Sequence, residues 1–147
     1  MSTGALRRVL VLNGPNLNLL GQREPSVYGS MTLADIAAIL DAAAPALGLQ
    51  TELRQTNHEG QMIDWLHAAR SHTHAVILNP GGWTHTSVAL HDAVKAIETP
   101  VIEVHISNPH AREPFRHHSF ISAVARGVIA GFGADGYLLA LHAAAKF

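Results

Sequence analysis

Residues 101–106 carry two side chains that could perform acid–base chemistry, Glu103 and His105. Alternate residues of a β-strand point to the same side, so this spacing places the two groups side by side. A carboxylate next to an imidazole favours the protonated ring and fixes its orientation. The pair could therefore supply a general acid. A pair that only orders the end of the strand would have the same spacing, so both interpretations stay open from these residues alone.

A second candidate pair, Arg23 and Tyr28, lies in a stretch flanked by Gly21 and Gly29. A free phenol has a pKa of about 10 and is a poor base at neutral pH. A guanidinium nearby, in a site closed to water, favours the phenolate and could also stabilise negative charge on a bound molecule. The glycines would let the stretch close as a lid. A solvated arginine beside a tyrosine packed on the loop is the structural alternative.

Short apolar runs alternate with helically spaced apolar residues along the chain. The runs predict strands at 9–12, 75–78, 101–106 and 128–129, and an alternating stretch predicts an edge strand at 51–56. Helical spacing predicts helices over 33–47, 62–69, 88–97 and 137–145. This order predicts the α/β class, as a flavodoxin-like, doubly wound, five-stranded parallel sheet with helices on both faces. For 147 residues we expect a single domain, 1–147, with a lid loop over about 18–30.

Polar side chains concentrate where the predicted strands end. In a doubly wound sheet, ligands bind outside the carboxyl ends of the strands. Turn-forming residues are expected there for structural reasons, but two histidines and two arginines are not. We therefore expect one site that collects residues from the ends of the first, third and fourth strands: Asn13, Asn16, Asn79, His85, Glu103, His105, Ser107, Arg112 and Arg116.

Composition argues against several classes of function. A net charge of −1 without runs of either sign argues against binding to nucleic acid or to anionic membranes. The apolar stretches are too short to span a bilayer, and residues 1–8 do not lead to a cleavage site, so we expect a cytoplasmic protein. Cysteine, helical metal-ligand spacing near the strand ends and glycine-rich nucleotide motifs are absent, so we expect neither a metal nor a cofactor.

The motifs that carry these residues resemble the type II 3-dehydroquinate dehydratase family over almost the whole chain. The matching stretches are residues 13–17, 21–25, 28–29, 55–60, 84–90, 103–108, 112–113, 116 and 136–137. Each motif is modest alone, but their order and spacing together are specific. The resemblance implies a hydro-lyase that converts 3-dehydroquinate to 3-dehydroshikimate by anti elimination through an enolate-like intermediate, in the shikimate pathway or in quinate catabolism.

The resemblance implies catalytic roles for five residues. Tyr28 looks like the base that takes the proton next to the ketone, and Arg23 like the lid residue that promotes ionisation of the tyrosine and steadies the enolate. Asn16 resembles the residue that holds a water molecule against the enolate oxygen. His105 looks like the acid that protonates the leaving hydroxyl, with Glu103 orienting it.

Six further residues match substrate-binding positions of the family: Asn79, Ile106, Ser107, His85, Arg116 and Asp92. The first three resemble a pocket for the substrate carboxylate, the next two resemble the groups that hold the ring hydroxyls, and the last resembles a residue that reaches into a neighbouring subunit's site. The resemblance implies a homo-oligomer, a dodecamer of four trimers, and the charged fraction of 14% agrees with buried subunit surface. Trp83, where the family often has tyrosine, and His91, where a cation is expected, depart from the pattern.

Three alternatives are compatible with parts of the sequence. A different lyase or isomerase on the same scaffold would use similar groups but would not form a conjugated enone acid from 3-dehydroquinate. A flavodoxin-like binding or signalling module of the receiver type would need clustered acidic residues after the first strand, where this chain has Asn13 and Asn16. A histidine-rich metal-storage oligomer would account for the 11 histidines, and elemental analysis would separate it from the others.

Overall fold

A computed structural model describes residues 5–147, and these contain a five-stranded sheet in which all neighbouring strands pair in parallel. The spatial order of the strands is β2-β1-β3-β4-β5, which is the order of flavodoxin-like folds. This confirms the predicted fold class and the edge position of the second strand. The strands are β1 (Arg7–Asn13), β2 (Leu49–Gln55), β3 (Ala75–Asn79), β4 (Val101–His105) and β5 (Gly127–Ala130).

Helices cover both faces of the sheet, as the alternation of elements predicts. They are α1 (Pro25–Tyr28), α2 (Leu33–Ala43), α3 (Glu59–Ala68), α4 (Val88–Ala96) and α5 (Asp135–Ala144). Successive residues of β1 point to opposite faces, so Val9 and Val11 pack with α2 and α5 while Leu10 and Leu12 pack with α3 and α4. Because β1 and β3 are buried on both sides, they appear in the sequence as continuous apolar runs.

The boundaries of α2 follow from local signals. Thr32 Oγ1 accepts from the Asp35 amide (3.1 Å), and the Asp35 carboxylate accepts from the Thr32 amide (3.0 Å), which together form a capping box. The predicted end of this helix at Leu47 is wrong, because the α-helix ends at Ala43 and a 3-10 turn covers Pro45–Leu47. A proline lacks the amide hydrogen and its ring clashes with the preceding turn, so the regular helix cannot continue through it.

Strands β1 and β3 are neighbours, and the loops that follow them touch. Gly14 comes so close to the second loop that an added Cβ would lie 2.4 Å from the Pro80 carbonyl oxygen, so only glycine fits there. The loop after β1 contains a 3-10 turn, Leu17–Leu19, and the one-turn helix α1. In flavodoxin-like sheets the crevice between the first and third strands is the usual ligand site.

Within residues 5–147, no helix has the length and apolar character needed to cross a bilayer.

Candidate active site

The carboxyl ends of β1, β3 and β4 surround a cavity of about 150 Å³. Ten residues singled out from the sequence line it: Asn16, Arg23, Tyr28, Asn79, His85, His105, Ile106, Ser107, Arg112 and Arg116. Glu103 lies behind His105 and contacts its ring, whereas Asp92 does not line the cavity. The fold therefore brings together in one cavity the groups that the sequence could assign only to a common edge of the sheet.

Tyr28 lies next to two guanidinium groups. The short helix α1 presents it, because Pro25 begins the turn and Gly29, with a φ of 79°, ends it. The guanidinium carbons of Arg23 and Arg112 lie 5.0 and 5.3 Å from the centre of the phenol ring, within the range of a cation–π contact. Nη1 of Arg112 also donates to the Tyr28 hydroxyl (3.0 Å). Two positive charges therefore stand beside this phenol.

Arg112 is a functional candidate that sequence reasoning placed at the site edge without a role. Its Nη1 donates to the hydroxyl oxygens of both Tyr28 and Ser107, the latter at 3.2 Å. The contact with Tyr28 joins residues 84 positions apart, so no local pattern could predict it. The available signals were a second arginine, four residues before Arg116 in the segment after β4, and the match of residues 112–113 to the family motif, which gave it no role.

Glu103 and His105 form a buried pair at same-side positions of β4. Nε2 of His105 donates to Oε2 of Glu103, whose side chain is 1% exposed. Burial alone raises the pKa of Glu103, but hydrogen bonds from His105 and Ser122, together with the charge of His105, bring that pKa below its usual value. Glu103 is therefore a carboxylate at neutral pH. Because Nε2 is engaged, Nδ1 is the His105 nitrogen available to the cavity.

The carboxylate of Glu103 is also bound by two serines that sequence reasoning missed. Ser122 Oγ donates to Oε1 (2.7 Å), and Ser119 Oγ donates to Oε2 (3.1 Å). Both serines belong to the irregular segment between Arg116 and β5. Isolated serines in such a segment resemble ordinary turn residues, so no signal in the sequence marked them.

His85 presents one ring nitrogen to the cavity and uses the other for positioning. Its Nδ1 lies 2.8 Å from the His118 carbonyl oxygen and must therefore carry the hydrogen. Burial lowers the pKa of His85, and the nearby charges of His105 and Arg116 lower it further, against the opposing effects of the His118 carbonyl and of Glu103. In the neutral ring, Nε2 is consequently an acceptor.

We expect His85 to be neutral at pH 7 and to stay neutral until the pH falls below the usual histidine value of about 6.5. The sign follows from burial, which penalises the charged ring. Nitrogen-15 NMR of labelled protein, with the His85 signals assigned by their loss in His85→Gln, would show the proton on Nδ1 and a low titration midpoint. A midpoint above 6.5 would contradict this electrostatic description of the cavity.

Asn16 occupies the tip of the first loop in a left-handed conformation, with a φ of 70°. The backbone N–H of Asn16 donates to Oδ1 of Asn57 (2.9 Å). That oxygen also accepts from Nε2 of Gln55 (3.0 Å). The same Gln55 nitrogen donates to the Gly14 carbonyl (3.1 Å). The end of β2 thus fixes the backbone of this loop, and it leaves the Asn16 side chain for the cavity that this residue lines.

A buried polar network lies beneath the cavity and joins β1, β3 and α5. The Tyr137 hydroxyl donates to Oδ1 of Asn13 (2.6 Å) and accepts from Nδ2 of Asn79 (2.9 Å). Oδ1 of Asn79 accepts from the Gly81 amide (3.2 Å). Burial raises the pKa of Tyr137, so it remains a neutral phenol. Because Nδ2 has a second hydrogen, Asn79 can still donate into the cavity that it lines.

Tyr137→Phe is expected to reduce the free energy of unfolding by about 1–3 kcal/mol, because it leaves buried amide groups of Asn13 and Asn79 without their partner. Urea unfolding followed by circular dichroism would measure the change. Leu138→Ala, at the neighbouring half-buried position on α5, is a control for general disturbance of the helix. Unchanged stability in Tyr137→Phe would mean that water replaces the lost hydroxyl.

The remaining predicted binding residues flank these groups, with one exception. Ile106 and Ser107 line the cavity, and no turn or loop hydrogen bond within residues 5–147 uses either amide as a donor. Arg116 lines it as well, with Nε donating to Glu113 (3.0 Å). Asp92 instead projects from α4 with its side chain 71% exposed.

In the part of the chain that the structure describes, no group of three or more His, Cys, Asp or Glu side chains could hold a metal ion.

The fold and the cavity define a flavodoxin-like α/β protein with a cavity, lined by titratable side chains, at the carboxyl edge of its sheet. Residues 7–145 match the family model described as dehydroquinase class II. The chain is 62% identical over 133 residues to the 3-dehydroquinate dehydratase 2 of Pseudomonas putida, covering 90% of this chain and 89% of that protein. It is 59% identical to the 3-dehydroquinate dehydratase 2 of Pseudomonas aeruginosa, covering 96% of each chain.

A solved structure gives the same result. The type II dehydroquinase from Propionibacterium acnes superposes with a TM-score of 0.94 at 48% identity, covering 99% of this chain and 100% of that one. The chain belongs to the class II dehydroquinase family, and it is an enzyme of that family. This confirms the family predicted from the motifs.

Proposed function

We propose that this enzyme removes water from 3-dehydroquinate to give 3-dehydroshikimate, by anti elimination through an enolate-like intermediate. One observation carries the mechanism: the cavity is lined both by Tyr28, whose hydroxyl is bound by a guanidinium, and by His105, whose ring is anchored by a buried carboxylate. A base and an acid are thus available to one bound ring. The names of the similar proteins support the choice of substrate.

In the first step, Tyr28 as phenolate takes a proton from the carbon next to the ketone. The adjacent cations Arg23 and Arg112 favour the negative charge on the phenolate oxygen. Arg23 also steadies the enolate, and Asn16 holds a water molecule that donates to the enolate oxygen. Donors preorganised in this way each contribute a few kcal/mol to transition-state stabilisation.

In the second step, the enolate expels the hydroxyl group while His105 transfers a proton to it from Nδ1. Hydroxide is a poor leaving group, so this proton is needed for the carbon–oxygen bond to break. The ring that remains is a neutral imidazole, still bound to Glu103 through Nε2. One cycle therefore leaves a proton on Tyr28 and removes one from His105, and exchange with solvent restores both.

The substrate is held through its carboxylate and its ring hydroxyls. The amides of Ile106 and Ser107 and the second Nδ2 hydrogen of Asn79 form the carboxylate pocket. His85 accepts from one ring hydroxyl through Nε2, and Arg116 donates to another. These groups converge on the same cavity, which supports a compact, anionic and polyhydroxylated ligand.

We further propose that residues 1–147 act as one domain in which the loop over about 18–30 closes as a lid. Arg23 and Tyr28 lie in this loop, between Gly21 and Gly29, both of which have positive φ. The active form is a homo-oligomer, a dodecamer of four trimers, in which Asp92 extends from α4 toward a neighbouring subunit's site. The enzyme is cytoplasmic and independent of metals and cofactors, and it serves the shikimate pathway or quinate breakdown.

The experiment is an ultraviolet assay of purified protein with 3-dehydroquinate in excess chelator. We expect an increase in absorbance from the conjugated enone acid, with a rate equal to that measured without chelator. A protein that binds 3-dehydroquinate without forming this product would be a different lyase, an isomerase or a binding module. Loss of the rate on chelation would contradict the metal-independent mechanism.

A further inference from the structure

The buried carboxylate of Glu103 receives hydrogen bonds from three side chains, and only one of them belongs to the acid–base pair. His105 donates to Oε2, Ser119 donates to Oε2 (3.1 Å) and lies 3.3 Å from Oε1, and Ser122 donates to Oε1 (2.7 Å). A buried carboxylate needs several donors to remain ionised. The two serines supply donors from a segment outside the sheet, and neither of them lines the cavity described above.

The hydroxyl of Ser119 has no freedom to act as anything but a donor to Glu103. Its oxygen accepts from the amides of Ile121 (3.1 Å) and Ser122 (3.0 Å), which occupy both of its lone pairs. Its single hydrogen is then available only for the carboxylate. A hydroxyl donates a stronger hydrogen bond to a carboxylate than to a neutral carboxyl group, so this contact favours the ionised form of Glu103.

We infer that Ser119 and Ser122 are positioning residues of the acid step, holding Glu103 ionised and aimed at Nε2 of His105. Neither serine lines the cavity at the ends of β1, β3 and β4, so the two act on the substrate only through Glu103 and His105. The inference rests on the proposed function for its kinetic consequence, but not for the state of the carboxylate. The pKa of Glu103, which these hydrogen bonds lower, agrees with the geometry.

Few other charged or titratable groups lie near the Glu103–His105 pair. His85 and Arg116 face it from the segments after β3 and β4. His110 and His117 line a second cavity of about 290 Å³, which Ser119 and Ser122 also line. Among residues 5–147, no carboxylate other than Glu103 lines this second cavity. A change in ionisation caused by the serine substitutions is therefore expected to centre on Glu103.

The kinetic test measures kcat and KM over a range of pH in the full chain. Ser119→Ala/Ser122→Ala is expected to lower kcat about tenfold and to move the acid limb of the kcat profile up by about one pH unit, because losing two donors destabilises the ionised carboxylate. KM is expected to stay within about twofold, since neither serine touches the substrate. A folded double variant with wild-type kcat and an unmoved acid limb would overturn the inference.

Matched variants separate positioning from general support of the turn. Ser122→Thr keeps the hydroxyl and is expected to retain kcat, and Ser71→Ala changes an exposed serine at the opposite edge of the sheet. In a Glu103→Gln background, the serine substitutions are expected to have little further effect on kcat, because the carboxylate they serve is gone. Equal losses of kcat with and without that carboxylate would contradict the inference. If the double variant fails to fold, Ser122→Ala alone is measured against the same criteria.

A second readout does not depend on turnover. Carbon-13 NMR of glutamate-labelled protein follows the Glu103 carboxyl, assigned by its loss in Glu103→Gln, and the titration midpoint is expected to rise in the serine variants. An unchanged midpoint would refute the inference even in an active enzyme. A wild-type protein with a low Glu103 midpoint but no dehydration of 3-dehydroquinate would instead refute the proposed function alone.

Discussion

Tyr28→Phe is expected to lower kcat by about 10²–10⁴-fold, the usual contribution of a positioned general base. The substitution removes one oxygen and keeps the ring, so the contacts with Arg23 and Arg112 at 5.0 and 5.3 Å from its centre are retained. Because Tyr28 is only half-buried in a loop, the fold is expected to remain intact. The ultraviolet assay measures the rate, and circular dichroism with thermal unfolding verifies the fold.

The chain offers a direct comparison, since it contains two tyrosines, Tyr28 and Tyr137. The same atom is removed in Tyr137→Phe, but there the oxygen belongs to a buried network rather than to the reacting centre. We expect that variant to lose mainly stability, and Tyr28→Phe to lose mainly turnover. A Tyr28→Phe enzyme with a kcat near that of the wild type would exclude this residue as the base.

His105→Ala is expected to lower kcat by about 10²–10⁴-fold, because hydroxide then leaves without a proton donor. The variant also leaves the carboxylate of Glu103 buried without its main partner, so some loss of stability is expected and unfolding must be measured alongside. Added imidazole at slightly acidic pH should restore part of the rate by entering the vacated space. His67→Ala, at an exposed position on α3, is the matched control.

Retention of the rate in His105→Ala would assign the proton donor to another group, and His85 would be the first candidate because it lines the same cavity. The pH profile would then separate the two histidines. His85 is neutral at physiological pH because burial lowers its pKa, so a mechanism using His85 as the acid would favour unusually low pH.

Much of the fold could be predicted because its determinants are local. The fully buried strand β3 appears as an uninterrupted apolar run, and β2 appears as an alternating stretch because it lies at an edge. The error at the end of α2 arose from giving apolar spacing more weight than Pro45, although proline was the stronger local signal. The one-turn helix α1 is too short to give a periodic pattern.

The site was predictable only as a set of residues at one edge of the sheet. Glu103 and His105 could be paired because they are two positions apart in a strand. The contact of Arg112 with Tyr28 depends on how two distant loops meet, and no spacing rule reaches across 84 residues. The roles of Ser119 and Ser122 depend in the same way on where an irregular segment returns to β4. The catalytic roles of the site residues could be predicted only from the family motifs, because residue types and spacing left alternatives open.

The central claim is that Tyr28 and His105 act on opposite faces of one bound ring. The most direct measurement uses 3-dehydroquinate carrying deuterium at one of the two stereochemically distinct positions next to the ketone, with the product examined by mass spectrometry. The account predicts that deuterium is lost from the position anti to the departing hydroxyl and retained at the syn position. Loss of the syn label would contradict it, because a single face of the ring would then supply both the proton and the leaving group.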